Sequence, residues 1–78
     1  MPYTSELTEE LNVLTLFELS NAQEGIKVHK SADKNAINAV NRLYEKGLVT
    51  QPDGGYLTAL GLDAAEHAQS LLMILTTE

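Results

Sequence analysis

Lys34, Asn35, Asn38, Asn41 and Arg42 recur at intervals that place them together on one side of an amphipathic helix predicted over residues 31–46. These residue types suit the reading of a duplex. Asparagine can make two hydrogen bonds to adenine in the major groove, arginine can make two to guanine, and lysine neutralises phosphate. Lys27 and Lys30, just upstream, would then lie near the backbone. The opposite side of the same helix carries Ala32, Ala36, Ile37, Ala39, Val40, Leu43 and Tyr44, so polar and apolar residues separate cleanly. The plainer reading of the polar side is a solvated surface that happens to be rich in amides.

Other chemistry is sparse. Asp63, Glu66 and His67 form the one local set with acid–base or metal-ligand character. Asp63 and His67 stand four apart, the spacing of an intrahelical pair, and no second histidine sits in register to complete a metal site. His29 stands alone among lysines, and two distant histidines assemble no nucleophile–base–orienter arrangement. With no cysteine there is no thiolate ligand, thiolate nucleophile or disulfide. The expectation is a non-enzyme without metal or cofactor.

Net charge is −6 over 78 residues, which disfavours nucleic acid as a partner for the molecule as a whole. The distribution is uneven. All five basic residues fall in positions 27–46, where only Asp33 and Glu45 oppose them, a local net of +3; the remainder carries nine acids and no Lys or Arg, a net of −9. A basic segment on an acidic body could face DNA or an acidic protein partner.

The elements that must position these residues can be read in order. Thr4 or Ser5 caps a first helix, with Glu6 in its first turn and Leu7, Leu11 and Leu14 on one face; Val13, Leu16 and Phe17 widen the apolar surface, and Ser20-Asn21 ends it. A short strand is predicted over 26–29, where Ile26 and Val28 alternate with Lys27 and His29. A middle helix between these two would have to fit near residues 21–24, where there is hardly room. Ser31 is the expected cap of the 31–46 helix, with Asp33 in its first turn and Lys46 in its last. Gly47, followed by Leu48, has the form of a left-handed terminator. Strands over 48–51 and 56–59 then flank a turn at 52–55, Pro-Asp-Gly-Gly. Thr58 caps a last helix running to about Leu75, with Leu60, Ala64, Ala68, Leu71 and Leu75 as its expected core face and Leu62, Ala65, Gln69, Leu72 and Met73 as a second stripe. The longest apolar run, 71–75, is too short to span a bilayer, and no export signal is evident, so a cytoplasmic protein is expected.

The segment from Leu43 to Val49, followed by Gly55-Tyr56-Leu57-Thr58 and Gly61, resembles the wing region of many bacterial winged-helix regulators. More closely, Gln23-Glu24-Gly25-Ile26-Lys27-Val28-His29, then Asp53-Gly54-Gly55-Tyr56-Leu57-Thr58 and Ala64-Ala65-Glu66-His67-Ala68-Gln69, is similar to a small family of short, uncharacterised bacterial proteins. The match covers nearly the whole chain. Members tend to be labelled DNA-binding proteins or regulators without an established activity, so the resemblance implies a fold and supplies no functional residues.

The sequence thus points to one domain, 1–78, of the α+β class and mainly helical: a winged helix-turn-helix-like domain with a short hairpin wing and flanking N- and C-terminal helices. Its expected role is DNA binding and transcription regulation, with helix 31–46 in the groove and Lys27, Lys30, Lys34, Asn35, Asn38, Asn41 and Arg42 as contacts. The wing weakens that role, because Gln51 to Gly55 includes no Lys or Arg and Asp53 would repel phosphate. The alternative is a winged-helix protein-interaction module whose basic segment docks onto an acidic partner. A small chain with so much apolar surface on its terminal helices is also expected to dimerise, through Val13, Leu16, Leu62, Ala65, Leu72, Met73 and Ile74.

Overall fold

The computed structural model describes residues 2–20, 25–27 and 33–77. They form an α+β fold of three helices and a three-stranded antiparallel sheet. Helix α1 spans Ser5–Leu14; Thr4 caps it by accepting a hydrogen bond from Leu7 N at 3.1 Å, and Glu6 sits in the first turn. The helix stops at Leu14, well before the expected end at Ser20-Asn21. Gln69 of the last helix satisfies the freed end: its Nε2 donates to the carbonyls of Leu14 (3.2 Å) and Phe17 (2.8 Å). Past the end, Phe17 folds back into the core.

Strand β1 is Ile26–Lys27. The expected extension to Val28 and His29, and the segment 21–24 considered for a middle helix, lie outside the described residues. Helix α2 spans Lys34–Glu45 and is capped by Asp33, whose carboxylate accepts from Asn35 N at 3.3 Å. The cap is therefore Asp33, not Ser31, which itself lies outside the described residues. The helix ends as Gly47 implies. Gly47 has φ +80°, its N–H donates to Tyr44 O, and Leu48 N donates to Leu43 O at 2.9 Å, the paired bonds of a Schellman motif.

Strands β2, Val49–Gln51, and β3, Gly54–Leu57, form the hairpin, and β3 is central in the order β1-β3-β2. The loop between them is Pro52-Asp53 alone, so Gly54 and Gly55 belong to the strand and not to the turn. Each glycine has a local reason. A Cβ on Gly54 would strike the Ile26 carbonyl of β1. Gly55, at φ +74°, makes a bulge in which Thr50 Oγ1 accepts from Tyr56 N at 3.0 Å.

Thr58 caps helix α3, Ala59–Leu75, by accepting from Gly61 N at 3.0 Å, and its hydroxyl donates to Gly47 O at 2.6 Å. The buried face of α3 is Gly61, Ala65 and Ala68, a stripe of small residues. Of the expected core face, Ala68 is buried and Ala64 packs against the core, but Leu60, Leu71 and Leu75 are exposed and Ala65, expected on the second stripe, is buried. Close approach is the cause: Gly61 lies against the backbone of Leu48, and a larger residue there would hold the helix away. The core is completed by Val13, Leu14 and Phe17, by Ala39, Val40 and Leu43 of α2, and by Val49 of β2. No helix among the described residues is long and apolar enough to cross a membrane.

Candidate interaction face

Helix α2 divides around its axis as its sequence requires. Ala39, Val40 and Leu43 point into the core, while Lys34, Asn35 and Asn38 are exposed and Asn41 is half-buried at the margin. Arg42 does not join them. It points toward α1, where its Nε donates to Glu10 Oε2 at 2.8 Å and a terminal nitrogen donates to the Glu6 carbonyl at 3.1 Å. Glu9 and Glu6 carboxylates stand 3.6 and 3.8 Å from the same guanidinium. Lys46, one turn further along α2, donates to the other oxygen of Glu10.

Glu10 is the centre of this cluster and is 5% exposed. Burial by itself would raise its pKa. Hydrogen bonds from Lys46 and Arg42, reinforced by their charges, outweigh burial and hold the carboxyl below its ordinary value of 4.5. The hydrogen bond to Glu10 likewise raises Arg42 above its usual range. The cluster ties α1 to α2, and it takes two cations out of the expected docking segment. Arg42, expected among the base-reading side chains, is held against α1 as an interhelical anchor. Of the other expected contacts, only the backbone of Lys27 is described, in β1, and Lys30 lies outside the described residues.

The sequence carried a signal for this arrangement that hydrophobic patterning passes over. Glu6, Glu9 and Glu10 share one side of α1, and Arg42 and Lys46 share one side of α2 at a spacing of four. Two helices that pack antiparallel or crossed with such stripes facing each other will pair them.

Beside the amides of α2 lies a recess of about 360 Å³, with Val13, Leu16 and Ala36 as apolar lining and Glu9, Asn12, Asp33 and Asn35 as polar lining. Asp63, Glu66 and His67 are exposed on α3, and among the described residues no group of three carboxylate or imidazole side chains could hold a metal ion. Among the residues expected at a dimer interface, Val13 (3% exposed) and Ala65 (0%) are enclosed by the protomer itself. They fill the core because α3 meets the rest of the fold through its smallest side chains. Leu16, Leu62, Leu72, Met73 and Ile74 are exposed.

These features define a small α+β domain presenting an amide-rich helix face braced from behind by ion pairs. The chain belongs to the family described as Family of unknown function (DUF5669), whose model matches residues 1–76. No curated protein matches it, and no solved structure does.

Proposed function

We propose that the chain is a non-enzymatic, winged-helix-like protein-interaction module of the cytoplasm, docking a protein partner on Lys34, Asn35, Asn38 and the neighbouring recess. The order helix, strand, helix, hairpin, helix, with β1 added to the hairpin, supports the winged-helix likeness. One observation carries the choice of partner: Arg42 and Lys46 are engaged by α1 glutamates, leaving the outward face of α2 mostly neutral amide on a chain of net charge −6. A phosphate backbone, whose affinity scales with the cations it meets, finds little on this face. A peptide surface suits it better, because asparagine both donates and accepts, and the recess offers apolar contact beside Glu9 and Asp33. The acidic partner suggested by the basic segment loses the same two contacts.

Groove reading by α2 retains one favourable feature, the exposure of Lys34, Asn35 and Asn38 on a helix just ahead of the hairpin. The discriminating experiment follows amide signals during titration with mixed-sequence duplexes at about 50 mM salt, where non-specific binding is strong. No movement of residues 34–41 is expected. Saturable, salt-sensitive shifts there would replace the protein-docking reading with the duplex one. In parallel, a protein captured from nuclease-treated lysate by the native chain should be lost with the Asn35→Ala/Asn38→Ala variant.

A further inference from the structure

The recess between α1 and the start of α2 combines two kinds of lining. Its apolar part is Val13, Leu16 and Ala36, with Leu16 left 65% exposed. Its polar part is a set of acceptors, the carboxylates of Glu9 and Asp33 and the amides of Asn12 and Asn35, and among the described residues no cation lines it. Lys34, the neighbour of Asp33 on α2, is not part of the lining. Neither carboxylate is used up within the chain. Glu9 stands 3.6 Å from Arg42, longer than a hydrogen bond, and Asp33 caps α2 through one oxygen, Oδ1.

We propose that this recess takes an arginine of the docking partner, carried on a basic segment with an aliphatic residue beside it. The inference rests on the protein-docking reading above and names the partner's chemistry. An arginine side chain has an apolar stem and a charged head, so the stem covers Val13, Leu16 and Ala36 while the head meets the acceptors. The guanidinium has donors only, which suits a site whose charged groups are all acceptors. It is also more weakly hydrated than an ammonium, which favours arginine over lysine. The volume of about 360 Å³ exceeds the roughly 150 Å³ that holds a benzene ring, so it admits a neighbouring aliphatic side chain as well. Charge selects the same occupant at longer range. Outside positions 27–46 the chain carries nine acids and no Lys or Arg, so a basic segment is drawn in and an acidic one turned away.

The test follows amide signals of the full chain during titration with acetyl-Gly-Leu-Arg-Leu-Gly-amide at about 50 mM salt, where charge pairing is little screened. The same peptide with citrulline in place of arginine keeps the shape and removes the charge. Saturable shifts of residues 9–16 and 33–36 are expected, with a Kd of about 1 mM for so short a probe. Citrulline should weaken binding about five-fold or more, the worth of a charge-assisted contact at a partly exposed site. The Glu9→Gln/Asp33→Asn variant keeps side-chain shape and the helix cap, since asparagine caps as well as aspartate. It should retain native helical circular dichroism and lose the preference for arginine. Equal binding of the two peptides, an arginine peptide that shifts no recess signal, or a folded variant that keeps the preference would overturn the proposal; if the variant fails to fold, the peptide pair alone decides. Failure here is distinct from failure of docking on α2. A captured partner lost with Asn35→Ala/Asn38→Ala but held by Glu9→Gln/Asp33→Asn leaves docking in place and removes the arginine.

Discussion

Replacing Glu10 by Gln keeps the side chain's shape and removes the charge on which the α1–α2 contact turns. In the native chain Glu10 accepts from Arg42 Nε at 2.8 Å through one oxygen and from Lys46 through the other. A hydrogen bond to a charged group contributes about 1.5–3 kcal/mol, and the bond to Arg42, on a nearly buried carboxylate, falls in that range. The Lys46 side chain is 47% exposed, so its share is screened to about 1 kcal/mol or less. Glutamine still offers one acceptor, but its amide nitrogen must then face a cation. Glu6 and Glu9, at 3.8 and 3.6 Å, hold the guanidinium only loosely. The net loss is about 2–3 kcal/mol, which for a domain of this size lowers Tm by roughly 8–24 °C.

The pH dependence has a fixed sign. Because the folded carboxyl is held below 4.5, the unfolded chain binds its proton more readily. The stabilisation from Glu10 is therefore complete above that value and is lost as pH falls through the lower folded value. Thermal melts followed at 222 nm should show a constant gap between native and Glu10→Gln chains from pH 7 to 5, closing below pH 4. A gap under about 3 °C at pH 7, or one that persists unchanged to pH 2.5, would refute the assignment of Glu10 as an ionised anchor.

Gly61→Ala should cost about 3 kcal/mol or more, since the new Cβ falls on the Leu48 carbonyl oxygen; chemical denaturation measures it. Gly47→Ala, with nothing within 4 Å of the new atom but φ at +80°, should cost only about 1–2 kcal/mol from backbone strain, and the ratio between the two checks the packing argument. Thr58→Ala removes both the cap on Gly61 N and the bond to Gly47 O and should lower stability by about 1–2 kcal/mol, with faster amide exchange in the first turn of α3. Gln69→Leu leaves the Leu14 and Phe17 carbonyls without their donor and should cost about 1–3 kcal/mol in the same denaturation experiment.

Local signals in the chain were legible where local physics decides the outcome. Gly47 ends α2, Thr58 starts α3, and the hairpin forms where β-favouring residues flank Pro52-Asp53. Gly54 and Gly55 look like turn residues because turns are the commonest reason for paired glycines. Here β1 demands Gly54 and a bulge against β2 demands Gly55, and neither constraint shows in the glycines alone. The core face of α3 is only partly legible for a related reason. Large apolar residues mark the core only when the helix stands at ordinary distance, and a glycine–alanine stripe lets α3 come closer, turning leucines outward. The helical pattern alone places Arg42 on the polar side of α2 with the asparagines. Its true setting depends on three glutamates that precede it by more than thirty residues.

The junction at Thr58 has consequences for how the chain can vary in length. Its hydroxyl ties Gly47 to the start of α3, and its amide donates to the Leu48 carbonyl at 3.0 Å, so the two legs of the hairpin are stitched together at their base. A residue added or lost near Gly47 or Thr58 would unseat both helices at once. The same change at Pro52-Asp53 alters only the far end of a closed ribbon, where lengthening a loop carries a small entropic cost. Engineered insertions are therefore expected to be accommodated at the hairpin tip, while the spacing from Gly47 to Gly61 is held by the bonds at the base.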